Sequence, residues 1–82
     1  MFIVLIHYKK SLDVIDQYLV QHRNYLDQGY QNNILIASGP RKPRTGGIIL
    51  SQLKDRSQIE NFIQSDPFYI NEIGRASCRE RV

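Results

Sequence analysis

The chain has 82 residues, 41% of them hydrophobic, and a formal net charge of +3. A chain of this length predicts one small domain that buries little core alone, so we expect a homodimer. Its single cysteine, Cys78, excludes an internal disulfide or redox pair. Because the N-terminus has neither the cationic start of a signal peptide nor the length of a membrane span, we expect a cytoplasmic protein without membrane contact.

The last ten residues, IGRASCRERV at positions 73–82, match a translated sequencing adapter. The adapter string ATC GGA AGA GCG TCG TGT AGG GAA AGA GTG encodes them codon for codon. We therefore predict that the native domain spans residues 1–72 and that residues 73–82 are an adapter-derived tail. The alternative is a native arginine-rich tail.

The predicted tail carries much of the positive charge. Three arginines and one glutamate lie in it; removing them from the 11 basic and 8 acidic residues leaves 8 and 7, a net charge of +1. The remaining basic cluster, 41–44, is too short to follow a nucleic-acid backbone. We therefore predict no nucleic-acid partner.

The first two elements are a strand and a long helix. Residues 2–8 (FIVLIHY) form a nearly continuous apolar run, which is typical of a central strand. Ser11 is a suitable cap for the following helix, and Gly29 is expected to end it. At 100° per residue His22 falls in the middle of the apolar stripe, whose other members are Leu12, Ile15, Tyr18, Leu19 and Leu26.

Two more strands and a second helix follow. Residues 33–39 (NILIASG) and 46–53 (GGIILSQL) predict strands, joined by a loop that two prolines stiffen. Ser57 and Glu60 have the spacing of a capping box, and Pro67 is expected to end the helix at Asp66. The order βαββα predicts an α+β fold of the ferredoxin-like type, with helices on one face of an antiparallel sheet. Such a fold needs one more strand after Glu72, which we predict to be missing or replaced.

The strongest candidates for chemistry are His22 and Asp66. Asp66 is placed at a helix C-terminus, where the dipole disfavours a carboxylate, and it lies on the apolar face of its helix. Pairing with His22 would satisfy it and would orient the imidazole for general acid–base catalysis. The alternatives are a core histidine without function and an aspartate that only accepts backbone N–H groups in a turn.

Other residues support fewer conclusions. The two histidines lack the spacing of a metal site, and Thr45-Gly46-Gly47 lacks the lysine and helix of a phosphate loop, so we predict no metal and no other cofactor. Ser38 has no nucleophile-elbow context. Arg44 is either an anion clamp or a solvated loop cation. Tyr8 is either a packing residue or, since it ends a strand, part of a site.

Four stretches resemble YciI-like proteins, the YCII-related domain family. They are MFIVLIHYKK, QHRNYLDQGY, ASGPRKPRTGGIIL and DPFY, in that order over residues 1–72. The resemblance implies a dimeric α+β barrel with a histidine–aspartate pair in its pocket, at His22 and Asp66. It also implies that Ser38, Gly39, Pro40 and Arg44 line the pocket. Tyr8 completes the predicted substrate-binding set.

The resemblance also implies a type of activity. Members of the family are linked to dehalogenation of chlorinated hydroxyquinones, and relatives in the same superfamily include lactone isomerases and monooxygenases that need no cofactor. We therefore expect cofactor-independent proton transfer on a small cyclic or anionic substrate, giving elimination, dehalogenation or isomerisation. His22 would be the acid or base, Asp66 its orienting partner and Arg44 the anion-stabilising residue. The alternative is a non-catalytic module that binds a small ligand or a partner.

Overall fold

A computed structural model describes residues 1–80. The helices are α1 (Leu12–Gln31), α2 (Arg56–Gln64) and α3 (Pro67–Ile70), and the strands are β1 (Phe2–Tyr8), β2 (Leu35–Pro40), β3 (Gly46–Ser51) and β4 (Gly74–Glu80). The predicted order βαββα is confirmed, and α3 and β4 follow it. Among the helices of the described residues, none is long and apolar enough to cross a membrane.

The four strands form one antiparallel sheet in the order β2-β3-β1-β4. Alternate residues of β1 point to opposite faces, and Phe2, Val4 and Ile6 are buried. They share one core cluster with Ile49 of β3 and with apolar residues of the helices, namely Leu26, Ile59 and Ile63. The helices therefore cover one face of the sheet, and the predicted α+β, ferredoxin-like class is confirmed.

The other face of the sheet has no helix on it. Its centre is apolar, since Leu5 pairs with Ile48 and Ile3 pairs with Leu50 across β1 and β3. Ile48 is 40% exposed. These four residues are called the open face below. Exposed apolar surface of this kind is typical of an interaction site.

Strand β4 occupies the position that the sequence analysis expected to be empty or replaced. It pairs with β1 along its whole length, and Ala76 and Cys78 pack against the core. The strand is thus formed by residues of the segment predicted to derive from adapter. Residues 81 and 82 of that segment lie outside the described residues.

Three predicted helix boundaries were wrong. Helix α1 continues past Gly29 to Gln31, and the glycine instead makes room for Phe62, whose ring would lie 2.7 Å from an added Cβ. Helix α2 is capped by Asp55, whose carboxylate accepts from the Ser57 amide and hydroxyl, so Ser57 is not the cap. Asp66 begins α3 as its N-cap, because proline fits the first helical position.

Candidate active site

His22 lies in the middle of α1 and is 8% exposed. Its Nδ1 is 2.8 Å from Oδ1 of Asp66, which is 4% exposed. The structure therefore brings together the two residues that the sequence analysis paired, although 44 positions separate them. A carboxylate at this distance accepts the Nδ1–H and leaves Nε2 as the ring nitrogen available to other groups.

Asp66 is held from both sides. Its Oδ1 also accepts the backbone N–H of Phe68 at 2.9 Å, as expected of an N-cap. The predicted clash with the dipole of the preceding helix does not arise, because Ser65 ends α2 and Asp66 belongs to the start of α3. Oδ1 of Asp66 therefore accepts both the backbone N–H expected of a turn residue and the N–H of the imidazole, so the aspartate does not bind backbone groups alone.

Phe68 fixes the imidazole from its face. The two rings are stacked with centroids 3.9 Å apart and planes 3° apart, and Tyr8 meets Phe68 edge-on at 6.2 Å. The sequence analysis did not assign this role to Phe68. The sequence signal that could have indicated it is the spacing, since Phe68 follows the capping residue Asp66 by two positions. His22 is thus restrained both at Nδ1 and across its ring plane.

A cavity of about 350 Å³ lies beside the histidine, between α1 and the strands. All five predicted substrate-binding residues line it: Tyr8, Ser38, Gly39, Pro40 and Arg44. Its apolar wall includes Leu19, Leu26, Ile49 and Phe68. His22 lines the cavity and Asp66 does not, so the imidazole is the part of the pair that a ligand in the cavity can contact.

Two polar residues of the lining have partners that sequence reasoning missed. The Ser38 hydroxyl is 2.7 Å from the Tyr30 hydroxyl. Arg44 donates to Asp16 of α1, and this hydrogen bond raises the pKa of Arg44. Arg44 therefore lines the cavity while its positive charge is paired with the carboxylate of Asp16. The contact joins residues 28 positions apart. It depends on the conformation of the loop before β3, which the sequence does not reveal.

Within residues 1–80, no three His, Cys, Asp or Glu side chains lie close enough together to hold a metal ion. Cys78 is half-buried in β4, where burial raises the pKa of its thiol. It does not line the cavity. The polar groups that a ligand meets are therefore imidazole, hydroxyl and guanidinium groups.

Comparison with known families completes this description. A model of the YCII-related domain matches residues 1–77. The chain belongs to the YCII-related domain family. The match includes the strand-helix-strand-strand unit, Asp66 and the first half of β4.

One solved structure with a similar fold is 5-chloro-2-hydroxyhydroquinone dehydrochlorinase (TftG) from Burkholderia phenoliruptrix AC1100, in complex with 2,5-dihydroxybenzoquinone. The TM-score is 0.82 at 17% sequence identity, over 100% of this chain and 94% of the other. At this identity the likeness shows a shared fold. The curated proteins contain no match.

Proposed function

We propose that this YCII-related protein is an enzyme that uses His22 and Asp66 for cofactor-independent proton transfer on a small cyclic or anionic substrate. The observation that carries the proposal is the 2.8 Å hydrogen bond between His22 Nδ1 and Asp66 Oδ1 beside a ligand-sized cavity. A buried structural histidine would also have a hydrogen-bond partner, so the cavity that His22 lines is what favours a functional pair over a structural one.

Each polar residue has a distinct part in the proposed reaction. Asp66 holds the Nδ1–H tautomer, so that Nε2 carries the lone pair that accepts a proton from substrate and later returns it. Arg44 stands where it can stabilise negative charge that develops on a substrate oxygen. Ser38 and Tyr8 offer hydroxyl groups for orientation, and the apolar wall accommodates a ring.

The fold likeness to TftG directs the choice of substrate class toward hydroxylated, halogenated rings. Dehydrochlorination of such a ring balances without an oxidant or reductant. One hydroxyl proton moves to the carbon that bears chlorine, and the hydroxyl opposite the first then loses its proton as the C–Cl bond breaks. The products are a quinone, a proton and chloride, and one positioned base that takes and returns protons is sufficient.

The test is chloride release from 5-chloro-2-hydroxyhydroquinone, measured by ion chromatography. We expect turnover by the parent protein and a loss on the order of 10²–10⁴-fold in His22→Ala, since that is typical of removing a general acid or base. His7→Ala is the matched control, because His7 is exposed and does not line the cavity. Equal rates in parent and His22→Ala would contradict the proposal. Saturable binding without turnover would favour a non-catalytic ligand-binding module.

A further inference from the structure

The charged side chains that line the cavity are all cationic or potentially cationic. Within the described residues they are His22, Arg23 and Arg44, and no aspartate or glutamate is in the lining. The two carboxylates nearest to them have partners already. Asp66 lies behind His22 and Asp16 binds Arg44. Neither offers its charge to a ligand.

Arg23 is the cation in this set whose charge is not matched. Within residues 1–80, no carboxylate lies within ion-pair distance of it, in contrast to His22 and Arg44. It is exposed at the rim, whereas its neighbour His22 is buried. Adjacent residues of a helix point about 100° apart. His22 and Arg23 nevertheless both line the cavity, so a ligand beside His22 lies near Arg23.

We propose that Arg23 binds a carboxylate of the ligand, and that the site prefers monocyclic rings that carry a carboxylate over the same rings without one. The inference rests on the proposed function and narrows its substrate class. Guanidinium binds a planar carboxylate through two parallel hydrogen bonds. A simple phenol such as hydroquinone has a pKa of about 10, is neutral at pH 7 and does not supply this charge. A phosphate group would carry a second negative charge. Among the lining residues that the structure describes, Arg44 is already paired with Asp16, so only Arg23 is left to bind that group.

The positions along α1 give the orientation of the ligand. Asp16, which binds Arg44, lies seven residues before Arg23, which is two helical turns and about 10 Å along the axis on the same face. His22 lies close to the Arg23 end. The carboxylate therefore sits at the rim beside Arg23, the ring enters toward Nε2 of His22, and Arg44 faces the far side of the ring.

The test compares two probes that differ only by the carboxylate: 2,5-dihydroxybenzoate and hydroquinone. Calorimetric titration of the parent is expected to give tighter binding of the benzoate. Arg23→Gln should weaken benzoate binding by at least about tenfold, as loss of a charged hydrogen bond does, and leave hydroquinone unchanged. Arg23→Lys should restore part of the affinity. Arg41→Gln is the charge-matched control, since Arg41 is in the neighbouring loop and outside the lining, and it should change benzoate binding by less than about twofold.

Equal affinity of the parent for the two probes would overturn the inference. So would an Arg23→Gln variant that behaves like Arg41→Gln, or a parent that binds neither probe at millimolar concentration. The outcome is separable from that of the proposed function. If His22→Ala loses turnover while Arg23→Gln binds normally, only the carboxylate inference fails. If Arg23→Gln loses benzoate affinity and no turnover is found, only the catalytic proposal fails.

Discussion

Asp66 Oδ1 accepts two hydrogen bonds, one from the imidazole of His22 and one from the amide of Phe68. The first fixes the tautomer of the histidine, and the second fixes the carboxylate itself. Because Phe68 also stacks on the imidazole, two residues of the segment 66–68 position one ring, Asp66 by its edge and Phe68 by its face.

Replacing Asp66 by Asn separates these two roles. Asparagine still caps a helix, but a neutral amide holds the Nδ1–H of His22 less strongly than a carboxylate. We expect the Nε2–H tautomer of neutral His22 to become more populated, as measured by its ring ¹⁵N chemical shifts. Turnover should fall with it.

Asp55→Asn is the control for that experiment, because Asp55 caps α2 in the same way and touches no histidine. It should leave the His22 tautomer as in the parent. Identical ring shifts in parent and Asp66→Asn would show that the carboxylate does not determine the tautomer.

The pairing of His22 with Asp66 could be predicted from sequence, because His22 falls on the apolar stripe of α1, Asp66 continues the apolar face of the residues before it, and the family resemblance points to the same positions. The stack of Phe68 on His22 could not. It depends on α3, and α3 was hidden because Pro67 was interpreted only as the end of a helix. The Asp16–Arg44 pair was also missed, since loop conformation decides it.

At the scale of elements, the caps determine where the short helices begin. Asp55 rather than Ser57 is the N-cap of α2, because its carboxylate accepts hydrogen bonds from both the amide and the hydroxyl of Ser57. Helix α3 begins at a proline directly after Asp66. The first three strands were easier to predict, because runs of β-branched and apolar residues such as those in β1 favour strands.

The cap of α2 predicts a specific pH dependence. Hydrogen bonds from the Ser57 hydroxyl and amide hold the pKa of Asp55 below its ordinary value of 3.8. A carboxyl group with a lowered folded-state pKa stabilises the fold above its unfolded pKa, and this contribution is lost as pH falls through the folded value. The stability difference between parent and Asp55→Asn should therefore be larger at pH 7 than at pH 3 in urea unfolding.

Asp27→Asn is the matched control for this measurement. Asp27 is exposed on α1 and makes no ion pair within the described residues. The difference in the free energy of unfolding between the parent and Asp27→Asn should be nearly the same at pH 7 and pH 3. If the stability difference between the parent and Asp55→Asn is the same at both pH values, ionisation of the capping carboxylate does not stabilise the fold.

At the scale of the whole molecule, the open face is the apolar surface that no helix of the described residues covers. Ile3, Leu5, Ile48 and Leu50 present an apolar surface on the side of the sheet without helices. We propose a homodimer that covers it. Sedimentation velocity at micromolar concentration should show a dimer, and Leu50→Lys should shift it to monomer, because a buried lysine without a partner charge is costly. Val20→Lys, on the exposed side of α1, should remain dimeric. A monomeric parent would contradict the proposal.

The origin of β4 is a separate question about the whole chain. We propose that residues 73–82 derive from adapter, because translation of the adapter string gives all ten residues. Sequencing the locus from an independent library should give a different continuation after Glu72. Recovery of IGRASCRERV at the locus would show that the tail is native and that β4 is its natural strand.

Because Oδ1 of Asp66 accepts hydrogen bonds from both His22 and the first turn of α3, we expect the position of the imidazole to depend on whether that turn is folded. The Phe68 amide cannot be released to solvent water without loosening the carboxylate that holds His22. We expect local opening of this single turn to release His22 while the sheet and α1 stay folded. In the proposed mechanism, the fraction of molecules with a positioned His22 would follow this local equilibrium of four residues, and its temperature dependence would differ from that of global unfolding.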